Sequence, residues 1–231
     1  MATGAIQASV PAALPATEQW SSERVLYQSA KSELSTGAGQ RYSEMRAQLA
    51  HYPLRIDLDL AVNLEQLHHM KASEAREFLS QARGTPLASR FLVAYLRHKA
   101  QDGRWKSFLG AMDTPPEMPE LQCYYYRALL ATGKAELGFK GASKLWNVGY
   151  SQDKACDPLF SAWMAQGGPD DDLIWSRALS AFDAKNGYLI RYVKRFASNE
   201  LQLDLDELAV VYRRPSRVEG DHHSHRPRHG D

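Results

Sequence analysis

The sequence predicts an all-α protein, specifically an α-superhelix, or solenoid, of antiparallel helix hairpins. Apolar residues recur at helical spacing along most of the 231 residues, and clusters of β-branched residues that would bound strands are nearly absent. Three stretches, QDGRWKSFL, ATGKAELGF and AKNGYLIRY, place a glycine where one helix would turn into the next. Because short loops make neighbouring helices antiparallel, and no heptad run indicates a closed bundle, a curved solenoid is favoured.

The first part of the chain predicts five helices. STGAG ends the first helix and Pro53 ends the second, since proline disfavours helix in the residue before it. Ser73 is the expected N-cap of the fourth, which ends near Gly84, and Pro86 suits the first turn of the fifth. The apolar faces carry Trp20, Leu26, Ala30 and Leu34 in the first helix, Tyr42, Met45 and Leu49 in the second, Leu58, Val62 and Leu67 in the third, and Leu87, Phe91, Leu92, Tyr95 and Leu96 in the fifth.

The second part repeats a helix–turn–helix pattern around Gly103, Gly133 and Gly187. The spacing of these glycines is not constant, so the pattern is not a regular 34-residue repeat. TPPEMPE at 114–120 and GGPDDD at 167–172 are the expected connections between hairpins. Asp170–Asp172 then open a helix, where the helix dipole favours acidic side chains.

Composition divides the chain into three regions. Residues 1–17 contain no charged side chain and read as a flexible leader, either an export-signal remnant or an unstructured cytosolic N-terminus. Residues 18–212 form the predicted α-superhelical domain. Residues 213–231 have no apolar periodicity and are the expected disordered tail rich in His and Arg, in which HHSH at 222–225 predicts only adventitious metal binding.

Charge and hydropathy argue against two classes of protein, nucleic-acid-binding and membrane-spanning. Lys and Arg number 28 against 27 Asp and Glu, so the chain lacks the basic footprint of a nucleic-acid-binding protein. No apolar run approaches the roughly 20 residues of a membrane-spanning helix, so no transmembrane segment is predicted. The two cysteines, Cys123 and Cys156, leave two readings open, a single disulfide or two buried thiols.

The stretch LQCYYYRALL at 121–130 contains three consecutive tyrosines, which lie about 100° apart around a helix. Tyr125 shares a face with Leu121 and Leu129 and is expected in the core. Tyr124 and Tyr126 are therefore the candidate glycan contacts, and interhelical packing is the alternative for both.

No catalytic residue, cofactor site or metal site is predicted. A glycosidase-type acid needs a sheltered, apolar pocket, and we expect the carboxylates to cap helices or face solvent. They lie at Asp57 and Asp59, Glu74 and Glu77, Asp170–Asp172, and Asp204, Asp206 and Glu207. His68 and His69 are adjacent on a predicted helix and so point apart, whereas two zinc ligands would need i,i+4 spacing.

Residues 121–163, LQCYYYRALLATGKAELGFKGASKLWNVGYSQDKACDPLFSAW, resemble the N-terminal helical region of the soluble lytic murein transglycosylases. Weaker likeness at Tyr52–Pro53–Leu54 and at Trp105 extends the resemblance over most of residues 20–200. Tyr150 stands where we expect lysine and Asp153 where proline is common. The matching residues are Cys123, Tyr125, Gly133, Leu145, Trp146, Gly149, Ser151, Gln152, Ala155, Cys156, Asp157, Leu159, Phe160 and Trp163.

The resemblance implies a periplasmic protein that acts on peptidoglycan. In that family a separate lysozyme-like domain cleaves the bond between N-acetylmuramic acid and N-acetylglucosamine without water, using the glutamate of a Glu–Ser motif. This chain contains no Glu–Ser dipeptide, so the catalytic role has no residue to which it transfers. The resemblance also implies a Cys123–Cys156 disulfide, since a periplasmic location permits one.

We therefore expect a helical scaffold that is not catalytic by itself and needs no cofactor. Its expected partners are peptidoglycan glycan strands or the missing catalytic domain, and no nucleic acid. The alternative is a tetratricopeptide-like scaffold that binds a protein partner.

Overall fold

The structure, a computed structural model, describes residues 20–37 and 39–215. Within those residues it contains twelve α-helices, two short 3-10 helices and no strand, which confirms the all-α prediction. The predicted leader and residues 216–231 of the predicted tail lie outside the described residues. No helix among those described is both long enough and apolar enough to cross a membrane.

The helices follow one another through short connections. The two 3-10 helices are Lys154–Cys156 and Lys194–Phe196. The α-helices are α1 (Ser21–Leu34), α2 (Gln40–Gln48), α3 (Arg55–Glu65), α4 (Ala72–Gln81), α5 (Pro86–Gln101), α6 (Trp105–Gly110), α7 (Pro119–Ala131), α8 (Ala135–Trp146), α9 (Asp157–Met164), α10 (Asp171–Asp183), α11 (Gly187–Val193) and α12 (Asn199–Arg213).

The chain divides into two compact units, Met1–Tyr95 and Leu96–Asp231, with the boundary inside α5. In the first unit, α1 packs against α2 and α3. Its core is aromatic: the rings of Trp20 and Tyr27 each lie 5.7 Å from the ring of Tyr52. Burying these large rings supplies much of the apolar stabilisation of this unit.

The second unit contains the helix hairpins α7–α8 and α10–α11. Trp146, which is 1% exposed, contacts Trp163 and Phe196 edge to face at the centre of its core. The other fully buried members are small or branched side chains such as Ala142, Leu159 and Ile174. Most of the large apolar side chains in this core thus pack at the contacts between helices.

Most helix starts follow the predicted chemistry. Pro86 begins α5, and the Asp170 side chain accepts a hydrogen bond of 2.9 Å from the Leu173 N–H at the start of α10. The predicted connection 114–120 ends earlier than expected, because Pro119 is the first residue of α7. The prediction of Ser73 as an N-cap is wrong, because the cap of α4 is Lys71. The Glu74 carboxylate accepts a hydrogen bond from the Lys71 N–H at 2.6 Å, so an acid three residues into the helix satisfies the free backbone donor.

Two of the three predicted glycine turns have the expected geometry. Gly103 and Gly133 adopt φ of 66° and 83°, the left-handed region that favours glycine. Gly187 does not, because the left-handed residue of that turn is Lys185, with φ of 56°, and Gly187 is the first residue of α11. A side chain at Gly187 would collide with the ring of Tyr212, so close packing is the reason for this glycine.

Cys123 and Cys156 form the disulfide that the resemblance implied, with their Cα atoms 4.8 Å apart. Both residues are fully buried in the core of the second unit. The bridge joins the middle of α7 to the 3-10 helix that leads into α9. It thereby ties α7 to the segment that follows the α7–α8 hairpin, across a sequence separation of 33 between the two cysteines.

Candidate functional site

The first candidate site is a row of three side chains on α6 and α7. The guanidinium carbon of Arg127 lies 5.2 Å from the ring centroid of Trp105 and 5.7 Å from that of Tyr124. All three side chains are partly exposed. Cation–π attraction holds the guanidinium between the two rings and keeps both aromatic side chains at the surface. We call these three residues the aromatic surface.

The local fold explains why Trp105 stands at this position. Gly103 reverses the chain after α5, and Trp105 is the first residue of α6. Its ring lies 6.3 Å from the ring of Phe108, which is completely buried and anchors the short helix. A shallow cavity of about 340 Å³ adjoins Trp105 and is lined mainly by Arg104, Lys106, Ser107 and Thr132.

The start of α7 is fixed by an ion pair. Arg97 donates to Glu120 through Nη2 at 2.6 Å and through Nε at 3.0 Å. The hydrogen bonds to Glu120 raise the pKa of Arg97 above its ordinary value. Because Glu120 lies one helical turn before Tyr124, this pair helps to hold the aromatic surface in place.

The other two tyrosines point elsewhere. Tyr126 is half-buried against the core, and its ring lies on Gly141 of α8. The expectation that Tyr125 lies in the core is wrong, since it is only half-buried and its ring touches that of Tyr126 at 5.3 Å. The reason is that Gly138 and Gly141 let α8 approach α7 on the side of Tyr126. Of the two predicted glycan contacts, only Tyr124 belongs to the aromatic surface.

A polar groove of about 430 Å³ lies in the first unit, between α2, α3 and α4. Arg46 donates to Asp59 through both Nε and Nη2, the latter at 3.0 Å, and Arg55 lies 3.5 Å from the same carboxylate. Asp59 is only 7% exposed, so the expectation that it faces solvent is wrong. Two arginines compensate its charge, which explains how a carboxylate is tolerated inside the helical layer.

Two tyrosines lie near this ion pair, and their hydroxyl groups differ in hydrogen bonding. The Tyr27 hydroxyl donates to the Asp57 carboxylate at 2.6 Å, and burial together with this hydrogen bond raises the pKa of Tyr27 to about 12. The Tyr42 hydroxyl is buried and has no hydrogen-bond partner among the described residues. Burial, and then the charge of Asp59, raise the pKa of Tyr42.

The described residues form an all-α scaffold of helix hairpins that carries the aromatic surface. The chain is similar to the soluble lytic murein transglycosylases, which confirms the resemblance predicted from the sequence. It is 29% identical over 175 residues to that protein of Salmonella typhimurium and 31% identical over 147 residues to that of Escherichia coli K12. These alignments cover 76% and 64% of the chain, and it spans 27% and 23% of the two relatives.

Solved structures give the same result. The 70-kDa soluble lytic transglycosylase of Escherichia coli matches at a TM-score of 0.70 with 26% identity, over 85% of this chain and 32% of that one. An inactive mutant of the lytic transglycosylase Slt from Pseudomonas aeruginosa matches at a TM-score of 0.70 with 28% identity, over 88% and 33%. These matches confirm the predicted fold class, an α-superhelix of antiparallel helix hairpins.

One further match points to a different family. A sequence profile of the Cucumovirus coat protein matches residues 135–224. It covers less than half of the chain, whereas the similarity to the transglycosylase of Salmonella typhimurium covers 76% of it.

Proposed function

We propose that this chain is the helical scaffold of a lytic murein transglycosylase-like protein that acts on peptidoglycan in the periplasm, and that it is not catalytic by itself. The carrying observation is the similarity to soluble lytic murein transglycosylases in both sequence and structure. The activity of that family, non-hydrolytic cleavage of the bond between N-acetylmuramic acid and N-acetylglucosamine, then belongs to a catalytic domain that this scaffold supports.

The aromatic surface gives the scaffold a means of engaging glycan strands. The rings of Trp105 and Tyr124 offer flat apolar faces for sugar rings, and Arg127 between them supplies hydrogen-bond donors for sugar oxygens. The neighbouring cavity adds the hydroxyl groups of Ser107 and Thr132. Such a combination of apolar faces and a few polar groups is typical of small-ligand sites. Tyr126, a residue of α7 that is half-buried against α8, would contribute only its exposed edge.

The environments of the carboxylates support the non-catalytic part of the proposal. A general acid for glycosidic cleavage must carry a proton at neutral pH, which usually requires an apolar pocket without a compensating cation. Among the described residues, Asp59 is the one buried carboxylate, and Arg46 and Arg55 both contact it. Both arginines engage its carboxylate oxygens, so Asp59 belongs to a structural ion pair rather than to an apolar pocket that could receive a glycosidic bond.

Incubation of the purified chain with murein sacculi tests the proposal. We expect the chain to sediment with the sacculi and to release no 1,6-anhydromuropeptides into the supernatant. Release of anhydromuropeptides would contradict the non-catalytic reading. Absence of sedimentation would contradict glycan engagement and would favour the alternative, a tetratricopeptide-like scaffold for a protein partner.

A further inference from the structure

Helix α10 buries an arginine that has no carboxylate partner among residues 20–37 and 39–215. Arg177 is 3% exposed and lies in the core of the second unit, one turn from Ile174 and Ala181. Its guanidinium carbon stacks 4.3 Å from the ring centroid of Trp146. Its Nη2 donates to the carbonyl oxygen of Tyr150 at 3.5 Å, a long and therefore weak hydrogen bond.

The remaining donors of this guanidinium are buried and unpaired among the described residues. Nε and Nη1 are buried and have no hydrogen-bond partner in the described part of the chain, where Arg177 also takes part in no ion pair. Burial lowers the pKa of Arg177 to about 10, so the group stays charged at neutral pH. A buried, uncompensated cation with unpaired donors is unusual, because such groups are normally paired.

The guanidinium lines a pocket of about 230 Å³. Four aromatic side chains form most of its wall: Trp146, Phe160, Tyr188 and Tyr192. Tyr188 is 68% exposed and lies where the pocket meets solvent. Ser151 supplies a hydroxyl group, and Asp157 is the one carboxylate in the lining. The pocket therefore combines apolar walls with a single buried positive charge.

Residues 147–152 form one side of this pocket, and hydrogen bonds hold this segment in place. The side-chain amide of Asn147 donates to Ser176 Oγ at 3.1 Å, and that of Gln152 donates to the Leu145 carbonyl at 2.6 Å. Gly149 packs so closely on α10 that a side chain there would collide with the Ser180 carbonyl. The pocket is thus preorganised rather than formed by a loose loop.

We propose that this pocket binds a carboxylate group, which draws the buried, unpaired guanidinium of Arg177 toward it and accepts its hydrogen bonds, while the rest of the ligand lies against the aromatic walls. Charge-assisted hydrogen bonds between guanidinium and carboxylate are stronger than neutral ones, and the dry surroundings increase their strength. Arginine is also the side chain whose planar fork matches a carboxylate.

Our inference about which molecule supplies the carboxylate rests on the proposed function. Peptidoglycan offers two: the lactyl carboxylate of N-acetylmuramic acid residues that carry no peptide, and the C-terminal carboxylate of the peptide where one is attached. Both present the same chemistry to Arg177, so separate compounds must distinguish them. A competing occupant is Asp157, which lies on the pocket lining and is exposed.

Calorimetric titration of the whole chain with small carboxylates tests the inference. We expect N-acetylmuramic acid or N-acetyl-D-alanine to bind with a dissociation constant on the order of 1 mM, as suits ligands of this size. N-acetyl-D-alaninamide, which lacks the charge, should bind at least about tenfold more weakly. Which acid binds more tightly identifies the source. If neither acid binds more tightly than the amide, the inference is overturned.

Three variants sharpen the result. Arg177→Met should lose about tenfold or more in affinity for the acids, and Arg177→Lys should lose affinity to a smaller extent, because it keeps the charge but not the fork. Asp157→Asn should bind the acids as well as or better than the wild-type chain. If Asp157→Asn binds them and the wild-type chain does not, Asp157 itself fills the pocket and the inference is wrong.

The experiments distinguish a failure of this inference from a failure of the proposed function. If Arg177→Met fails to fold in a thermal melt, the comparison of acid with amide on the wild-type chain and on Asp157→Asn decides the matter. Binding of small carboxylates without binding to sacculi would support the pocket and contradict the proposed function. Equal binding to sacculi by the wild-type chain and Arg177→Met, with no response to small carboxylates, would overturn the pocket alone.

Discussion

The ring of Tyr126 lies against Gly141, so helices α7 and α8 meet at this point with no α8 side chain between them. Alanine is the better helix former, by about 1 kcal/mol. We nevertheless expect Gly141→Ala to lower the free energy of unfolding by about 1–3 kcal/mol, because the added methyl group overlaps a ring that the core holds in place. Chemical denaturation measures this change.

Gly138→Ala, on the same helix, is the matched control. The two nearest atoms there belong to the Leu130 side chain, which is flexible where the Tyr126 ring is rigid, and the Tyr126 carbonyl oxygen would lie 3.1 Å from the added methyl group. Its loss of stability should be clearly smaller than that of Gly141→Ala. If Gly141→Ala were as stable as the wild-type chain, the close approach of α7 and α8 would be wrong.

Tyr27 and Asp57 predict an alkaline transition in stability. Because the folded pKa of Tyr27 is raised to about 12, its contribution is complete below pH 10 and is lost as the pH rises from about 10 to about 12. Tyr27→Phe removes a hydrogen bond to a charged acceptor and should cost about 1–2 kcal/mol at pH 8. The difference between the two proteins should shrink above pH 10.

Tyr42→Phe is the control for that experiment. The Tyr42 hydroxyl is buried without a hydrogen-bond partner in the described residues, so its removal should leave stability at pH 8 unchanged or slightly higher. Equal losses for Tyr27→Phe and Tyr42→Phe would contradict the assignment of the Tyr27–Asp57 hydrogen bond.

The ion pair of Arg46 and Asp59 predicts that substitutions at these two positions have strongly coupled effects on the free energy of unfolding. Arg46→Met leaves a buried carboxylate with Arg55 as its remaining ion-pair partner and should lower the free energy of unfolding by about 2 kcal/mol. The double variant Arg46→Met, Asp59→Leu should be about 1–3 kcal/mol more stable than the sum of the single changes predicts. Additive losses would show that the two side chains do not interact in solution.

The disulfide predicts a dependence on redox state. Closing a loop across a sequence separation of 33 restricts the unfolded chain, so reduction should lower the free energy of unfolding by about 3–4 kcal/mol. The double variant Cys123→Ala, Cys156→Ala serves as the control and should not respond to reductant. A wild-type protein with two titratable thiols and an unchanged denaturation midpoint would contradict the bridge.

The sequence predicted the helices well because local signals determine them. Pro86 and Asp170 each mark a helix start through chemistry that depends on a few neighbouring residues. The errors at Ser73 and Gly187 have another origin. At Ser73 the helix begins earlier than expected, because the Glu74 carboxylate accepts the hydrogen bond of the Lys71 N–H. At Gly187 the ring of Tyr212, distant in sequence, determines why glycine is required.

The candidate site was harder to predict because it depends on packing between helices. Tyr124 was identified, but its partners Trp105 and Arg127 come together only when α6 packs on α7. Asp59 and Arg177 were missed, although a signal was present. Arg177 occupies the apolar face that Ile174 and Ala181 define, and a charged residue on such a face predicts a buried polar contact.

Binding of Tyr124→Ala to murein sacculi, compared with Tyr150→Ala, tests the central claim most directly. Tyr150 is 55% exposed and lies outside the aromatic surface. Arg177 contacts its backbone carbonyl, which Tyr150→Ala keeps, so the replacement removes an equal side chain without touching that contact. We predict that Tyr124→Ala binds sacculi about fivefold to tenfold more weakly than the wild-type chain, a loss of about 1 kcal/mol, while Tyr150→Ala binds normally. Unchanged binding of Tyr124→Ala, or equal losses in both variants, would contradict the account.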